Sequence, residues 1–142
     1  MLKGISSILS PDLLKILMEM GHGDEIVIGD GNFPAAALAQ RIVRFDGHKI
    51  TDVLEAILPL YPLDHFVDAQ VTLMEKAADA KEEPAIWDKY RAILAKYDDA
   101  TMEHIERFAF YEQTKKAYAV VATGESEIYA NIILKKGIIV GD

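Results

Sequence analysis

Short, nearly continuous apolar runs recur along this chain, separated by segments of helical period, and that alternation constrains its fold more than any other feature. Residues 25–28 read Glu-Ile-Val-Ile, closed by Asp30 and Gly31 and followed by the Asn32-Phe33-Pro34 turn. A run without polar alternation suits a strand covered on both faces, as in a parallel sheet. Further strands are expected at residues 41–45, before the Asp46-Gly47 turn, and at 69–74, 118–123 and 129–134. Between them lie helical patterns. Ser10, Pro11 and Asp12 form a good helix start, Leu13, Leu14, Ile16, Leu17 and Met20 give it an apolar face, and Gly21 stops it. Thr51 or Asp52 is the expected cap of a helix through Leu58. Pro84 opens an amphipathic helix with Ile86, Trp87, Tyr90, Ile93, Leu94 and Tyr97 at helical spacing, and residues 107–116 are expected to be helical. The expected class is α/β: one domain over residues 1–142, with a mixed, mostly parallel β-sheet flanked by helices.

Composition narrows the function. At 142 residues the chain is long enough to bury a core without staples. It has no cysteine, which removes disulfides, thiol catalysis and Cys-ligated metal centres and is compatible with the expected cytoplasmic location. A net charge of −8 argues against binding nucleic acid through its phosphates. The longest uncharged stretch is residues 31–40, too short to span a bilayer, and Met1-Leu2-Lys3-Gly4-Ile5 lacks the apolar region of a secretory signal, so no membrane partner is expected. Gly29-Asp30-Gly31 lacks the third glycine of a dinucleotide fingerprint, and no phosphate-binding P-loop is present. His22, His48, His65 and His104 show no metal-ligand spacing. Neither metal nor cofactor is expected.

What remains is a set of polar residues at element ends. His22 lies between Gly21 and Gly23, just before the first strand, and Asp30 lies at that strand's carboxyl end, where open α/β sheets bind ligands. A straight strand between them would hold the two more than ~10 Å apart, so contact needs a folded-back loop or a second subunit. Arg107 precedes the aromatic segment Phe108-Ala109-Phe110-Tyr111 and could grip sugar hydroxyls or a carboxylate with its forked donors; as an ordinary helix residue it would cover Phe side chains with its stem. Tyr129-Ala130-Asn131 sets an aromatic ring beside an amide, a pairing suited to sugars, although an edge-strand Tyr and a turn Asn are commoner. Trp87 and Tyr90 are expected in the core, and Lys135 and Lys136 in solvent.

Three separated motifs together resemble one family. They are Leu9-Ser10-Pro11-Asp12-Leu13-Leu14 with Met20 through Ile28, Asp30 and Asn32-Phe33-Pro34; Arg107-Phe108-Ala109-Phe110-Tyr111-Glu112; and Thr123-Gly124-Glu125 with Tyr129-Ala130-Asn131 and the run to Gly137. In order and spacing they resemble the L-fucose mutarotases. The related D-ribose pyranases share the Gly-His-x-Asp and Tyr-Ala-Asn elements. The resemblance implies an isomerase that interconverts sugar anomers without a cofactor. It implies His22 as catalytic acid/base, and Asp30, Arg107, Tyr129 and Asn131 as catalytic or sugar-contacting residues, with Ala130 contributing backbone. It further implies ring-shaped homo-oligomers, commonly decamers of two pentamers, with sites between subunits. A D-ribose pyranase, a mutarotase of another monosaccharide and a noncatalytic sugar-binding ring are the competing readings.

Overall fold

The computed structural model describes residues 1–141. Among them are five helices and six strands in one sheet of order β2-β5-β1-β6-β3-β4. The strands are β1 (Glu25–Gly29), β2 (Ile42–Phe45), β3 (Val71–Met74), β4 (Met102–Ile105), β5 (Ala119–Thr123) and β6 (Ile132–Lys135). The helices are α1 (Pro11–Glu19), α2 (Ala35–Leu38), α3 (Ile50–Ile57), α4 (Ala85–Tyr97) and α5 (Arg107–Lys116). β5 runs parallel to β1 and β2, and β4 parallel to β3. Only β6 is reversed, antiparallel to both β1 and β3. Five strands therefore point one way, as a mostly parallel sheet requires.

Helices cover both faces, which is why the strands carry so little polar alternation. Ile26, Ile28, Leu73, Val121, Ile132 and Leu134 pack beneath α1, α3 and α4. Val27, Val120 and Ile133 face the other way, toward Phe33 and Phe110 beside α2 and α5. Both faces of the central strands are buried, so their inner residues are apolar on both sides except for Thr72 of β3, whose hydroxyl donates to Glu103 Oε1 at 2.9 Å.

Local signals explain most ends. Ser10 Oγ accepts from Leu13 N–H at 3.1 Å, with Pro11 at the first helical position. Glu106 caps α5, its carboxylate accepting from the N–H groups of Phe108 and Ala109. Neither Thr51 nor Asp52 caps α3. The helix starts at Ile50, whose N–H donates to Glu125 Oε1 at 3.2 Å, so its cap comes from a loop 75 residues away. The last strand begins at Ile132, not at Tyr129, because Tyr129 adopts a φ of 57° that no strand accepts. α2 and β4 carry no strong sequence signal. α2 is a single turn without a side-chain cap, and β4 is a half-exposed edge strand reading Met-Glu-His-Ile.

This topology gathers five strand carboxyl ends and the start of β6 along one edge of the sheet. The opposite edge holds the start of β1 and the end of β6.

Candidate functional site

The structure divides the expected site residues between those two edges. His22 sits at the start of β1. Asp30, Arg107, Tyr129, Ala130 and Asn131 sit at its far end. β1 alone, at ~3.3 Å per residue, holds the groups more than ~13 Å apart.

At the first edge, His22 protrudes from the loop between α1 and β1. That loop is pinned by its backbone: Gly23 N–H donates to the Lys136 carbonyl and Lys136 N–H to the Asp24 carbonyl, each at 2.8 Å. Gly23 has a φ of 88°, which glycine adopts freely. The His22 ring is half-exposed and its Nε2 lies 3.0 Å from Oδ1 of Asp64, which is buried. The hydrogen bond from His22 is the first cause holding the Asp64 carboxyl below the usual aspartate range. An ionised carboxylate only accepts, so Nε2 carries the proton of this bond and Nδ1 of a neutral ring is left as a free base. The Phe66 N–H donates to the same Asp64 oxygen, and the Phe66 ring meets the imidazole edge-on at 5.2 Å. His22 also borders an apolar groove of about 630 Å³ with Leu17, Met18, Leu60 and Ile139.

At the second edge, Asp30 follows β1 directly. Its N–H donates to Oδ1 of the buried Asn131 at 2.8 Å, and its Oδ1 accepts from Asn32 N–H at 2.9 Å. Burial raises the Asp30 carboxyl above the ordinary value, and the charge of Glu125 pushes the same way. Tyr129, Arg107, Glu106 and Lys76 line one hollow of about 640 Å³. The Arg107 Nε donates to the Tyr111 hydroxyl at 3.0 Å, and its guanidinium lies 5.3 Å from the Phe108 ring centre. Arg107 is exposed, and its guanidinium leans on the Phe108 and Tyr111 rings.

Tyr129 is the one non-glycine residue with positive φ among those described. Left-handed backbone costs such a residue about 1–2 kcal/mol, so its surroundings must enforce it. The phenol oxygen accepts from Ala77 N–H at 2.9 Å, and the Tyr129 carbonyl accepts from Trp87 Nε1 at 2.9 Å. The next carbonyl, of Ala130, accepts from the buried Tyr90 hydroxyl at 2.5 Å.

The comparisons with known proteins agree with this architecture. The model of the RbsD / FucU transport protein family matches residues 3–139. The chain belongs to that family. Within the RbsD / FucU family, its relatives include an L-fucose mutarotase of Glaesserella parasuis, 49% identical over 97% of this chain and 96% of that one. The fucose mutarotase of Mus musculus is 48% identical over 96% of this chain and 94% of that one. A fucose mutarotase from Streptococcus pneumoniae, solved in complex with L-fucose, has a TM-score of 0.94 at 49% identity, covering 98% of this chain and all of that one. Bacillus subtilis RbsD, solved with D-ribose, has a TM-score of 0.74 at 24% identity and shares the fold. Among the described residues of this RbsD / FucU protein, no helix is long and apolar enough to cross a membrane.

Sequence reasoning missed several residues around the site. Asp64 carried no motif, because its partner His22 is 42 residues away. Glu125 reads as a turn residue beside Gly124 yet is buried, and its two carboxylate oxygens accept from Ile50, Ser126 and Glu127 N–H groups. Lys136 is not free in solvent. Its Nζ donates to the Leu17 and Met20 carbonyls at the end of α1.

Proposed function

We propose that this chain is an L-fucose mutarotase, an isomerase that interconverts α- and β-L-fucose by acid/base opening and closing of the ring. The observation that carries the reading is near-full-length likeness to fucose mutarotases, including one solved with L-fucose.

The chemistry asks for little more than positioned proton carriers. A base takes the proton from the anomeric hydroxyl while an acid gives one to the ring oxygen. The bond from the anomeric carbon to the ring oxygen breaks and leaves an open aldehyde. Rotation turns its other face, and the reverse transfers close the opposite anomer. No electron is gained or lost, so the reaction needs no cofactor. An imidazole with a reference pKa of about 6.5 can take either part near neutrality. His22 supplies this group, with Asp64 holding Nε2 so that Nδ1 faces the sugar. Tyr129 relays the second proton or stacks on the ring. Asp30 and Asn131 orient hydroxyls, Ala130 contributes backbone, and Arg107 polarises the sugar oxygens.

These roles need His22 beside residues that its own chain keeps at the far edge of the sheet. A homo-oligomer in which the His22 edge of one subunit meets the Tyr129 edge of its neighbour supplies that meeting, and a decamer of two pentameric rings is the assembly this reading carries. Exposed Met18, Phe66 and Ile139 around His22 support it, since a neighbour would cover them. A cytoplasmic setting belongs to the same reading, and cell fractionation tests it. Light scattering on the purified protein tests the ring.

Saturation transfer by proton NMR between the two anomers of L-fucose tests the reaction. Wild type should speed the exchange. His22→Ala should lose most of a roughly 10²–10⁴-fold acid/base contribution. If D-ribose responds and L-fucose does not, the reaction stands and the substrate is wrong. If either sugar binds and neither exchanges faster, the protein is a sugar-binding ring without catalysis.

A further inference from the structure

We propose that Trp87 and Tyr90 of α4 are positioning residues for the sugar site, acting through the Tyr129–Ala130 backbone. The inference rests on the reading of Tyr129 as the group whose hydroxyl relays the second proton.

Tyr129 stands in left-handed backbone, and two successive carbonyls leave it in fixed directions. Each is met by the polar tip of an otherwise apolar core side chain. Trp87 Nε1 donates to the Tyr129 carbonyl at 2.9 Å. The Tyr90 hydroxyl donates to the Ala130 carbonyl at 2.5 Å. Both rings are buried in the main core, 3% and 0% exposed, so neither tip can turn to another partner without dragging a packed ring with it. Burial also pushes the Tyr90 phenol far above its ordinary value, so it stays a donor at any working pH. One residue after Ala130, Asn131 holds the Asp30 N–H. The clamp from α4 therefore fixes the torsions at Tyr129 and so the direction of its phenol, while Asp30 is held separately through Asn131.

Core packing alone does not account for this pairing. A helix needing only to fill the space over the sheet would use Leu or Phe at both positions. Trp and Tyr bring donors that need partners when buried, and here the partners are consecutive carbonyls of the segment proposed to carry the reaction.

The variants that test the clamp keep the ring and delete the donor: Trp87→Phe and Tyr90→Phe. Exchange of L-fucose anomers is measured against sugar concentration in each, in the Tyr129→Phe background, and alongside thermal unfolding. A misplaced catalytic group of this kind lowers turnover by about tenfold or more. The expected result is that loss at saturating sugar, with KM within about twofold of wild type, at temperatures where the variants remain folded. In the Tyr129→Phe background the same substitutions should change turnover by less than about twofold, because the group they position is gone. Unchanged turnover with only a lowered Tm would make Trp87 and Tyr90 core residues and overturn the inference. A full additional loss in the Tyr129→Phe background would overturn it too. If Tyr129→Phe alone keeps the wild-type rate, the reading of Tyr129 has failed, an outcome distinct from a slow Tyr129→Phe with normal Tyr90→Phe. Either donor-deleted variant suffices should the other fail to fold.

Discussion

The two edges of the sheet hold their functional groups in different ways. At the His22 edge, a half-exposed imidazole is held by one bond to a buried carboxylate. At the Asp30 edge, the side chains are held through backbone groups. Asn131 takes the Asp30 amide, Trp87 and Tyr90 take two carbonyls, and Glu125 takes three amides. Thr123 adds another link, donating to the Gly29 carbonyl at 2.7 Å. One edge depends on a single charged contact. The other spreads its support over α3, α4, β1 and the loop between β5 and β6. The first should fail abruptly when one partner is changed, and the second by degrees.

The sharpest way to break this contrast is Asp64→Asn. It removes the charge that fixes the His22 tautomer while nearly keeping the shape. We expect anomer exchange to fall by about 10²-fold or more, within the range acid/base catalysis supplies. Asn131→Ala at the other edge should show itself first as stability. It strips the acceptor from the Asp30 amide, a loss of about 1–3 kcal/mol where burial keeps water away. Urea unfolding and saturation transfer on both variants would separate the two. Equal losses of activity with equal stability would erase the distinction.

The same contrast explains what could be read in advance. The strands and the Ser10 start of α1 were legible because periodicity and capping are local. Trp87 and Tyr90 could be placed in the core for the same reason. Their donors could not be assigned, since the carbonyls they meet lie 40 residues or more along the chain. Asp64, Glu125 and Lys136 escaped likewise, each defined by a partner brought near only by the fold. The separation of His22 from Asp30 was legible, because a strand has a fixed rise. The left-handed Tyr129 was not, since its triplet reads as a strand start.

Close backbone contacts give a second, smaller probe at each edge. A Cβ on Gly137 would stand 2.4 Å from the Leu63 carbonyl oxygen, immediately before Asp64. A Cβ on Gly124 would stand 2.0 Å from the Asp46 carbonyl oxygen, immediately before Glu125. Backbone cannot swing aside as a side chain does, so Gly137→Ala and Gly124→Ala should each destabilise by about 1–3 kcal/mol. The edges should then part company in activity. Displacing Leu63 moves the partner of His22, so Gly137→Ala should lose more exchange per folded molecule.

Acidification should distinguish Asp64 from Asp30 by sign. The folded carboxyl of Asp64 is depressed, so its stabilisation is present above the unfolded value of about 3.9 and is lost as pH falls through the lower folded value. The folded carboxyl of Asp30 is raised, so the folded state binds its proton more tightly than the unfolded chain does. Stability then rises as pH falls through that raised value. Glu25, partly buried at the start of β1, is raised by desolvation and adds to the same gain. In a Tm-versus-pH series, Asp30→Asn should flatten the gain and Asp64→Asn the acid-side loss. The reverse assignment would show that the causes have been misjudged.

The smallest expected effect belongs to Lys136. α1 has no basic residue in its last turn, yet its terminal carbonyls carry the negative end of the helix dipole. Lys136 reaches across from the end of β6 and donates to the Leu17 carbonyl at 2.8 Å and the Met20 carbonyl at 2.5 Å. Lys136→Met keeps most of the stem and deletes both bonds. The site is half-exposed, so water replaces part of what is lost, and the expected destabilisation is about 1 kcal/mol. Lys136→Arg should recover some of it. High salt should weaken wild type toward the Met variant, because the ammonium is partly in solvent. The carbonyls Lys136 binds precede Gly21 and His22, so exchange should fall only a few-fold if backbone pinning by Gly23 and Asp24 holds the loop. A loss as large as that of Asp64→Asn would mean that the His22 edge, like its counterpart, relies on distributed support.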